Sequence, residues 1–512
     1  MKKVLLIIKD GFGWSLKKEG NAVKAAHMPF FDKLRKKYPF TLLQTKGHAS
    51  GLPEGQTGAS EPGHLILGAG RIVWQSLENI NQSFKNKSIL KNKSFKKFLN
   101  QSFNRKIHLV GLLSDGGVHS HINHLENLLE ILAKEKIKKE NIFLHAIADG
   151  RDVKRKSIAK YLDQIKKTKK CQLASLIGRF YAMDRDKNWQ RTKQAFDLLT
   201  AAKGEKLNFN KINETIYNQA ESDYYLKGFV FPDFKKIAKQ DLVLLFNFRS
   251  DRSEQLTSAF TQDNFSEWKR DFYFPKNKEQ FFVFGPYHQG NAWNIFPPPK
   301  VKNNLGEVLA YHGLKQLRIA ETEKFAHVTF FFNAQNKKPF PQEERILIPS
   351  KKCLSFAECP QMSAKEITIQ VCSEIKKKKF SVIVLNFANA DLVGHSGKFE
   401  KAKASCEVLD QCLSKIVPLA IGEDYQLIIT ADHGNSDEML YENGEISCAH
   451  SKNPVPCILI TDKKIKPFKK RQNFKIEQGL EVSGQLQDIA PTILDMLELP
   501  SPAEMTGESF LI

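Results

Sequence analysis

Short, nearly unbroken apolar runs alternate along the chain with polar segments of helical character. That alternation predicts an α/β fold, because a strand covered on both faces of a parallel sheet reads as a continuous apolar run. Three such runs lie in the outer parts of the chain. Residues 4–8 lead into Asp10-Gly11, residues 381–387 into Asp391, and residues 426–430 into Asp432-His433. Open parallel sheets collect ligands at the carboxyl ends of their strands. Residues about 380 to 420 positions apart are therefore expected at one site.

The middle of the chain repeats the design with different chemistry. Residues 107–113 run into Ser114-Asp115-Gly116-Gly117, 142–148 into Asp149-Gly150-Arg151-Asp152, 172–177 into Gly178-Arg179, and 242–248 into Arg249-Ser250-Asp251-Arg252. Arginines at strand ends suit an anion. The middle reads as a second α/β domain inserted into the first. The expected division is 1–74 with 299–512 for the outer domain and 75–298 for the insert. The second boundary falls in the proline run 296–300, a stiff linker. No repeat of about 20–50 residues suggests a solenoid.

Composition narrows the class. Of 512 residues, 41% are hydrophobic and 26% charged, which excludes disordered, collagenous and coiled-coil chains. The net charge of +22 invites a nucleic-acid reading. Against it, the basic runs 166–170 and 376–379 carry no aromatics, and most of the 37 phenylalanines sit in apolar runs rather than on a basic face. The surplus reads as a lysine-rich solvated surface. The amino-terminal apolar run is five residues, short of a signal peptide's ~7–15, and no segment approaches the ~18–20 needed to span a bilayer. Eight scattered cysteines without CxxC spacing read as free thiols of a reducing cytosol, so a cytoplasmic location is expected.

Three constellations carry chemistry. Gly58-Ala59-Ser60-Glu61-Pro62-Gly63-His64 reads as a helix start, with Ser60 as cap and Pro62 in the first turn. A helix start also suits phosphate, and Ser60 there becomes a nucleophile if its pKa is lowered. Asp391 and His395, four apart, share one helical face, and Asp432-His433, His450 and Asp10 complete a set of oxygen and nitrogen donors. Such a set suits two divalent ions such as Mn²⁺ or Zn²⁺, which would activate Ser60 and clamp a phosphoryl group. Ser60 itself is a further candidate metal contact. The third constellation is Arg151, Arg179, Arg185, Arg249, Arg252 and Lys324, with His121 and Asp152. Arg249 and Arg252, three apart, are expected on one helical face. Taken singly, each residue also fits a plain cap or surface charge; the convergence at strand ends singles them out.

The motifs occur in one order over nearly the whole chain. They are Asp10-Gly11-Phe12-Gly13, the run from Gly51 to Gln56 with Gly58 and Ser60-Glu61, Leu112 to His121, Asp149 to Asp152, and Gly178 to Asp186. Then come Asn247-Phe248-Arg249, Glu321-Thr322-Glu323-Lys324, Asn386 to Asn389, Asp391 to His395, Thr430 to Asn435, and Asn453 to Pro456. In these the chain resembles the cofactor-independent phosphoglycerate mutases of the alkaline-phosphatase superfamily. The resemblance implies a phosphatase-like outer domain with an inserted transferase domain. It implies Ser60 as the residue phosphorylated in turnover, one Mn²⁺ on Asp10, Ser60, Asp432 and His433, and another on Asp391, His395 and His450. It places phosphoglycerate on His121, Arg151, Asp152, Arg179, Arg185, Arg249, Arg252 and Lys324. Lys9, Ala59, Pro62 and Ile66 depart from the family's usual apolar residue, Asn, Val and Asn.

The implied reaction interconverts 3- and 2-phosphoglycerate without 2,3-bisphosphoglycerate. Asp152 is the expected general acid/base, and Lys324 with the metals would neutralise the transition-state oxygens. Retaining glycerate calls for a closed cleft and hinge motion between the domains. The expected partner is the small-molecule substrate, with no nucleic acid or membrane, and the expected state is a monomer. The alternative is a metal-dependent phosphohydrolase of the same superfamily, in which water takes the phosphoryl group; the arginine-rich insert favours the mutase.

Overall fold

The computed structural model describes residues 2–285, 292–298 and 300–512. The chain forms two compact units, Met1–Gln75 with Pro299–Ile512, and Ser76–Pro298. Pro299, part of the expected linker, lies outside the described residues. Both units are α/β, each built on a mainly parallel sheet.

In the first unit nine described strands run in the order Glu343–Ile348, Gln316–Glu321, Val382–Phe387, Lys3–Lys9, Tyr425–Thr430, Val455–Ile460, Phe40–Gln44, Leu480–Gln485 and Lys475–Glu477. The first five are mutually parallel. Strand Lys3–Lys9 is central, so both its faces must be covered, and Val4 to Ile8 are all fully buried. Ile8 pairs with Asn386 on one side and Thr430 on the other. That register carries Asp10, Asn386 and Asp432 to one sheet edge, with Asp391 on the short helix Asn389–Gly394 just beyond.

In the second unit eight described strands run in the order Trp293–Asn294, Phe281–Val283, Leu242–Leu245, Ile107–Leu112, Ile142–Ala148, Gln172–Gly178, Phe229–Val230 and Glu205–Lys206. Only Gln172–Gly178 with Phe229–Val230 is antiparallel. Alternate residues feed two apolar clusters: Leu109, Leu144, Leu176 and Leu244 in one, Val110, Ile147, Ile177 and Leu245 in the other. The pleat sends successive side chains to opposite faces, which accounts for the unbroken apolar runs.

Several local expectations are corrected. The run 242–248 is strand only over Leu242–Leu245, and the next helix begins at Glu254. Arg249 and Arg252 therefore share a turn rather than a helical face; the Ser250 carbonyl accepts from the Ser253 and Glu254 N–H groups and closes that turn. Ala59 is the cap residue of helix Ser60–Ala69, so Ser60 is its first helical residue. Cys353 and Cys359 are joined as a disulfide, where free thiols were expected; the short helix Phe356–Glu358 turns the chain back between them. Cys171, Cys372, Cys406, Cys412, Cys448 and Cys457 are free. Among the described residues no helix is long and apolar enough to cross a membrane.

Lys9 is buried at the end of the central strand. Its Nζ has no hydrogen-bond partner and lies 3.3 Å from the Phe12 ring centre and 3.7 Å from that of Phe31. Burial holds its pKa well below the usual lysine range, against a smaller opposing pull from Cys406 and Asp410. The rings return only part of the cost of desolvating an amine. Lys9→Met keeps the length of the side chain and removes that cost. It is expected to stabilise the first unit by about 1–2 kcal/mol, read as a higher urea midpoint; a lower midpoint would show that the ring contacts outweigh desolvation.

Candidate active site

Three carboxylates from distant parts of the chain meet at the edge of the first sheet: Asp10, Asp391 and Asp432, each at most 2% exposed. Gly11 makes the approach possible. Its φ is +71°, and a Cβ there would lie 2.5 Å from the Asp391 Cα. Asp10 Oδ1 accepts from Ser60 Oγ at 3.0 Å and from Lys324 Nζ at 2.8 Å, and Asp10 Oδ2 accepts from Asn386 Nδ2 at 2.8 Å. Asp391 Oδ2 accepts from Lys324 Nζ at 2.7 Å, and its Oδ1 accepts from Asn435 Nδ2 at 3.1 Å. Asp432 Oδ1 accepts from the N–H groups of Gly11 and His433.

Lys324 belongs here, which corrects its grouping with the arginines of the insert. It sits on helix Thr322–Ala326 in the first unit, and its Nζ lies 2.7 Å from Ser60 Oγ. Burial opposes its charge, but Asp10 and Asp391 outweigh burial and raise its pKa above the ordinary lysine value. Burial likewise opposes charge on Asp391 and Asp432. Lys324 and the facing imidazoles hold Asp391 well below the usual carboxylate range, and His433 and His64 do the same for Asp432. Asp10 is raised, by burial and then by Asp432.

The imidazoles are aimed by the backbone. His395 Nδ1 is 2.7 Å from the Cys448 carbonyl, His450 Nδ1 2.8 Å from that of Gly58, and His433 Nδ1 3.2 Å from that of Gly434. A carbonyl only accepts, so each Nδ1 carries the proton and each Nε2 presents a lone pair inward. His395 Nε2 and His450 Nε2 then face each other at 3.1 Å, and lie 3.2 and 3.3 Å from Asp391 Oδ1. His433 Nε2 is 2.8 Å from Ser60 Oγ and 3.5 Å from both Asp10 and Asp432. Facing lone pairs beside carboxylates call for cations, and this donor set fits divalent metal ions. Donor atoms of Asp391, His433 and His450 lie within 4.8 Å of one another, as do those of Asp10, His64 and Asp432.

His64 went unassigned from sequence, although it lies four residues after Ser60 on the same helix. Its Nδ1 is 2.9 Å from the Ser60 carbonyl and 3.2 Å from Asp432 Oδ2, and its Nε2 accepts from Asn386 Nδ2 at 3.0 Å. Both nitrogens are therefore engaged by protein groups, unlike those of His395 and His450. Ile66 is fully buried in the apolar core.

The second unit collects the arginines. Asp149, buried at the end of strand Ile142–Ala148, accepts from Ser114 Oγ, from the N–H groups of Arg151 and Asp152, and from Arg179 Nη1 at 2.6 Å. The same Arg179 nitrogen donates to Asp152 Oδ2 at 2.7 Å. Asp251 pairs with Arg185 and Arg249, each at 3.0 Å. Arg252 donates to the Met183 carbonyl, and its pKa is lowered by burial and by Arg185, Arg179 and Arg151, so these charges share one region. His121 caps helix Ile122–Lys134, and its charged neighbours are Asp115 and Glu126 rather than the arginines. Asp149, Asp251 and His119 lie within segments singled out from sequence but were given no role there, because their part is to pair with other site residues. His119 lies 4.0 Å from Asp152 and 3.9 Å from Asp251; burial, then Arg179, pushes its pKa down to about 4.

A family model described as the Metalloenzyme superfamily matches residues 2–501. The 2,3-bisphosphoglycerate-independent phosphoglycerate mutase of Acetivibrio thermocellus is 42% identical over 528 aligned residues, covering 100% of this chain and 99% of that protein. The corresponding mutase 1 of Methanosarcina acetivorans is 43% identical at the same coverage. A phosphoglycerate mutase of Leishmania mexicana, solved at low cobalt concentration, superposes with a TM-score of 0.62 at 27% identity, covering 100% of this chain and 98% of that one. The chain belongs to the Metalloenzyme superfamily and, within it, to the 2,3-bisphosphoglycerate-independent phosphoglycerate mutases.

Proposed function

We propose that this protein interconverts 3-phosphoglycerate and 2-phosphoglycerate by passing the phosphoryl group through Ser60. The observation that carries this is the placing of Ser60 Oγ within 3.0 Å of Asp10, His433 and Lys324 in a chain related over its full length to such mutases. Asp10, Ser60, Asp432 and His433 would hold one Mn²⁺ and Asp391, His395 and His450 the other. When bound, the two ions would lower the pKa of the Ser60 hydroxyl and offset charge on the phosphoryl oxygens.

Ser60 Oγ attacks phosphorus, the bond to the glycerate oxygen breaks, and phosphoserine forms. Lys324, kept charged by its carboxylate neighbours, meets the equatorial oxygens. His121, Arg151, Arg179, Arg185, Arg249 and Arg252 hold the glycerate carboxylate and hydroxyls while it reorients. The proton that Ser60 gives up on attack reaches the departing oxygen through Asp152, oriented by Arg179. In the second half Asp152 takes a proton from the hydroxyl that attacks phosphoserine and it returns to Ser60 Oγ, so the cycle closes with no net proton. The second unit is thus a substrate-binding transferase domain and the first a metal-binding phosphatase-like domain. The reading includes no need for 2,3-bisphosphoglycerate, a monomeric cytoplasmic protein, and no nucleic-acid partner.

Ser60→Ala is expected to lower mutase activity at least about 10³-fold and to abolish the labelled phosphoenzyme formed from ³²P-phosphoglycerate. Retained activity would sink the phosphoserine route, and stoichiometric release of free phosphate by the wild-type protein would favour the phosphohydrolase. Chelation should remove activity and Mn²⁺ restore it. Asp391 raises the pKa of both His395 and His450 against burial, so in the metal-free site protons compete with metal from higher pH than for an ordinary histidine. The Mn²⁺ concentration giving half-maximal activity should rise steeply between about pH 8 and pH 6; a flat profile would contradict imidazole ligation. Lys324→Met should cost about 10²-fold or more in kcat. It should also destabilise the chelated protein by about 3 kcal/mol, read as a lower Tm, and the metal-loaded protein by less, because without metal Lys324 is the one lysine or arginine among the described residues paired with Asp10 and Asp391.

A further inference from the structure

A second cationic cavity lies at the amino ends of strands Ile107–Leu112, Leu242–Leu245 and Phe281–Val283, the edge opposite to the one carrying Asp149 and Arg179. Its volume is about 560 Å³. Three segments build it: Asn104-Arg105-Lys106, Lys239-Gln240-Asp241, and the stretch from Pro275 to Gln280. Gln280 Nε2 ties two of them together by donating to the Lys239 carbonyl at 2.8 Å and the Asp241 carbonyl at 3.2 Å. Arg105, Lys106, Lys239 and Lys278 line the space, and none of them takes part in an ion pair among the described residues. Arg105 Nη1 is shielded from solvent and has no hydrogen-bond partner.

The one acid of the lining, Asp241, commits one of its two carboxylate oxygens to protein donors. Its Oδ2 accepts from the Ala238 N–H at 2.9 Å and from His108 Nε2 at 3.1 Å. His108 Nδ1 then accepts from His145 Nε2 at 2.9 Å, and His145 Nδ1 accepts from Ser175 Oγ at 2.8 Å. Only this sequence of donors satisfies two neutral imidazoles in a row, and burial lowers the pKa of both. One oxygen of Asp241 thus anchors a hydrogen-bonded chain running inward over three strands, and four cations line the cavity against this single carboxylate. Lys106 is felt as far inward as His108, whose pKa it helps to depress.

We propose that this cavity is an anion site, separate from the arginine cluster, for a small molecule carrying a diphosphate or two phosphate groups. The volume falls in the range of small-ligand sites. The Arg105 guanidinium and the three lysines supply the positive charge that two phosphate groups require, and Tyr273 also lines the space.

The test is calorimetric titration of the full chain with inorganic pyrophosphate, with divalent ion in excess over pyrophosphate and 3-phosphoglycerate saturating the arginine cluster. Saturable binding is expected, weakened about tenfold or more in Lys239→Glu/Lys278→Glu. The kcat and KM of that variant, measured without pyrophosphate, should match wild type. Lys401→Glu/Lys415→Glu, the same charge change on exposed positions of helix Phe399–Gly422, should alter binding less than about twofold. Should the first variant not fold, Lys239→Gln/Lys278→Gln reads the same loss. Equal weakening in both lysine pairs would reduce the effect to net charge and overturn the site. So would displacement of pyrophosphate by 3-phosphoglycerate, or binding of a DNA or RNA oligonucleotide where pyrophosphate does not bind.

Discussion

The first unit is organised around the cost of burying Asp10, Asp391 and Asp432 together. Carboxylates withdrawn from water repel one another strongly, and each is expensive to desolvate. Lys324 reaches two of the three and supplies a single positive charge. The remaining negative charge, with the inward lone pairs of His395, His433 and His450, is what divalent cations would satisfy. The supporting geometry serves the same end. Strand register sets Asp10 and Asp432 level, Gly11 lets its backbone close on that of Asp391, and backbone carbonyls fix three imidazoles in one tautomer.

The second unit carries the opposite imbalance. Arg179, Arg185 and Arg249 pair with Asp149, Asp152 and Asp251, which aim their guanidinium groups, and Arg151 and Arg252 add charge in the same region. Cations outnumber anions there, so the site is complete only with an anion. Each unit therefore lacks one kind of charge, and the proposed phosphoryl transfer, with divalent ions for the first unit and an acidic substrate for the second, would supply both.

The strand ends were legible in the sequence because buried parallel strands leave unbroken apolar runs, and because Asp10, Asp391 and Asp432 each stand just after one. The two-unit α/β fold follows from the same pattern. Lys324 was assigned to the outer domain and a catalytic role but grouped by charge with the arginines, because its place beside Ser60 depends on the strand Gln316–Glu321, which ends in a polar residue. Arg249 and Arg252 were given helical spacing, but three-residue spacing is equally that of a turn. His64 and Asn386 act through hydrogen bonds to other site residues, and such a role has no spacing rule. The Cys353–Cys359 pair depends on a reversal by a single short helix, which residue counts do not show.

The unusual residues around Ser60 offset one another. A cap side chain accepts from the N–H of the second or third helical residue. Here the third residue is Pro62, which has no N–H, so the donor an asparagine at position 59 would satisfy is partly missing already. Ala59 takes the extended backbone of a cap without a side-chain bond, and its carbonyl still accepts from the Gly63 N–H at 2.9 Å to start the helix. Acceptor and donor are thus lost together, and no buried amide is left stranded by the pair of changes. The N–H groups of Ser60 and Glu61 stay uncapped at the positive end of the helix, beside the hydroxyl that would carry the phosphoryl group. Ile66, two turns further on, faces the apolar core and leaves the polar contacts at the nucleophile to His64 and Asn386.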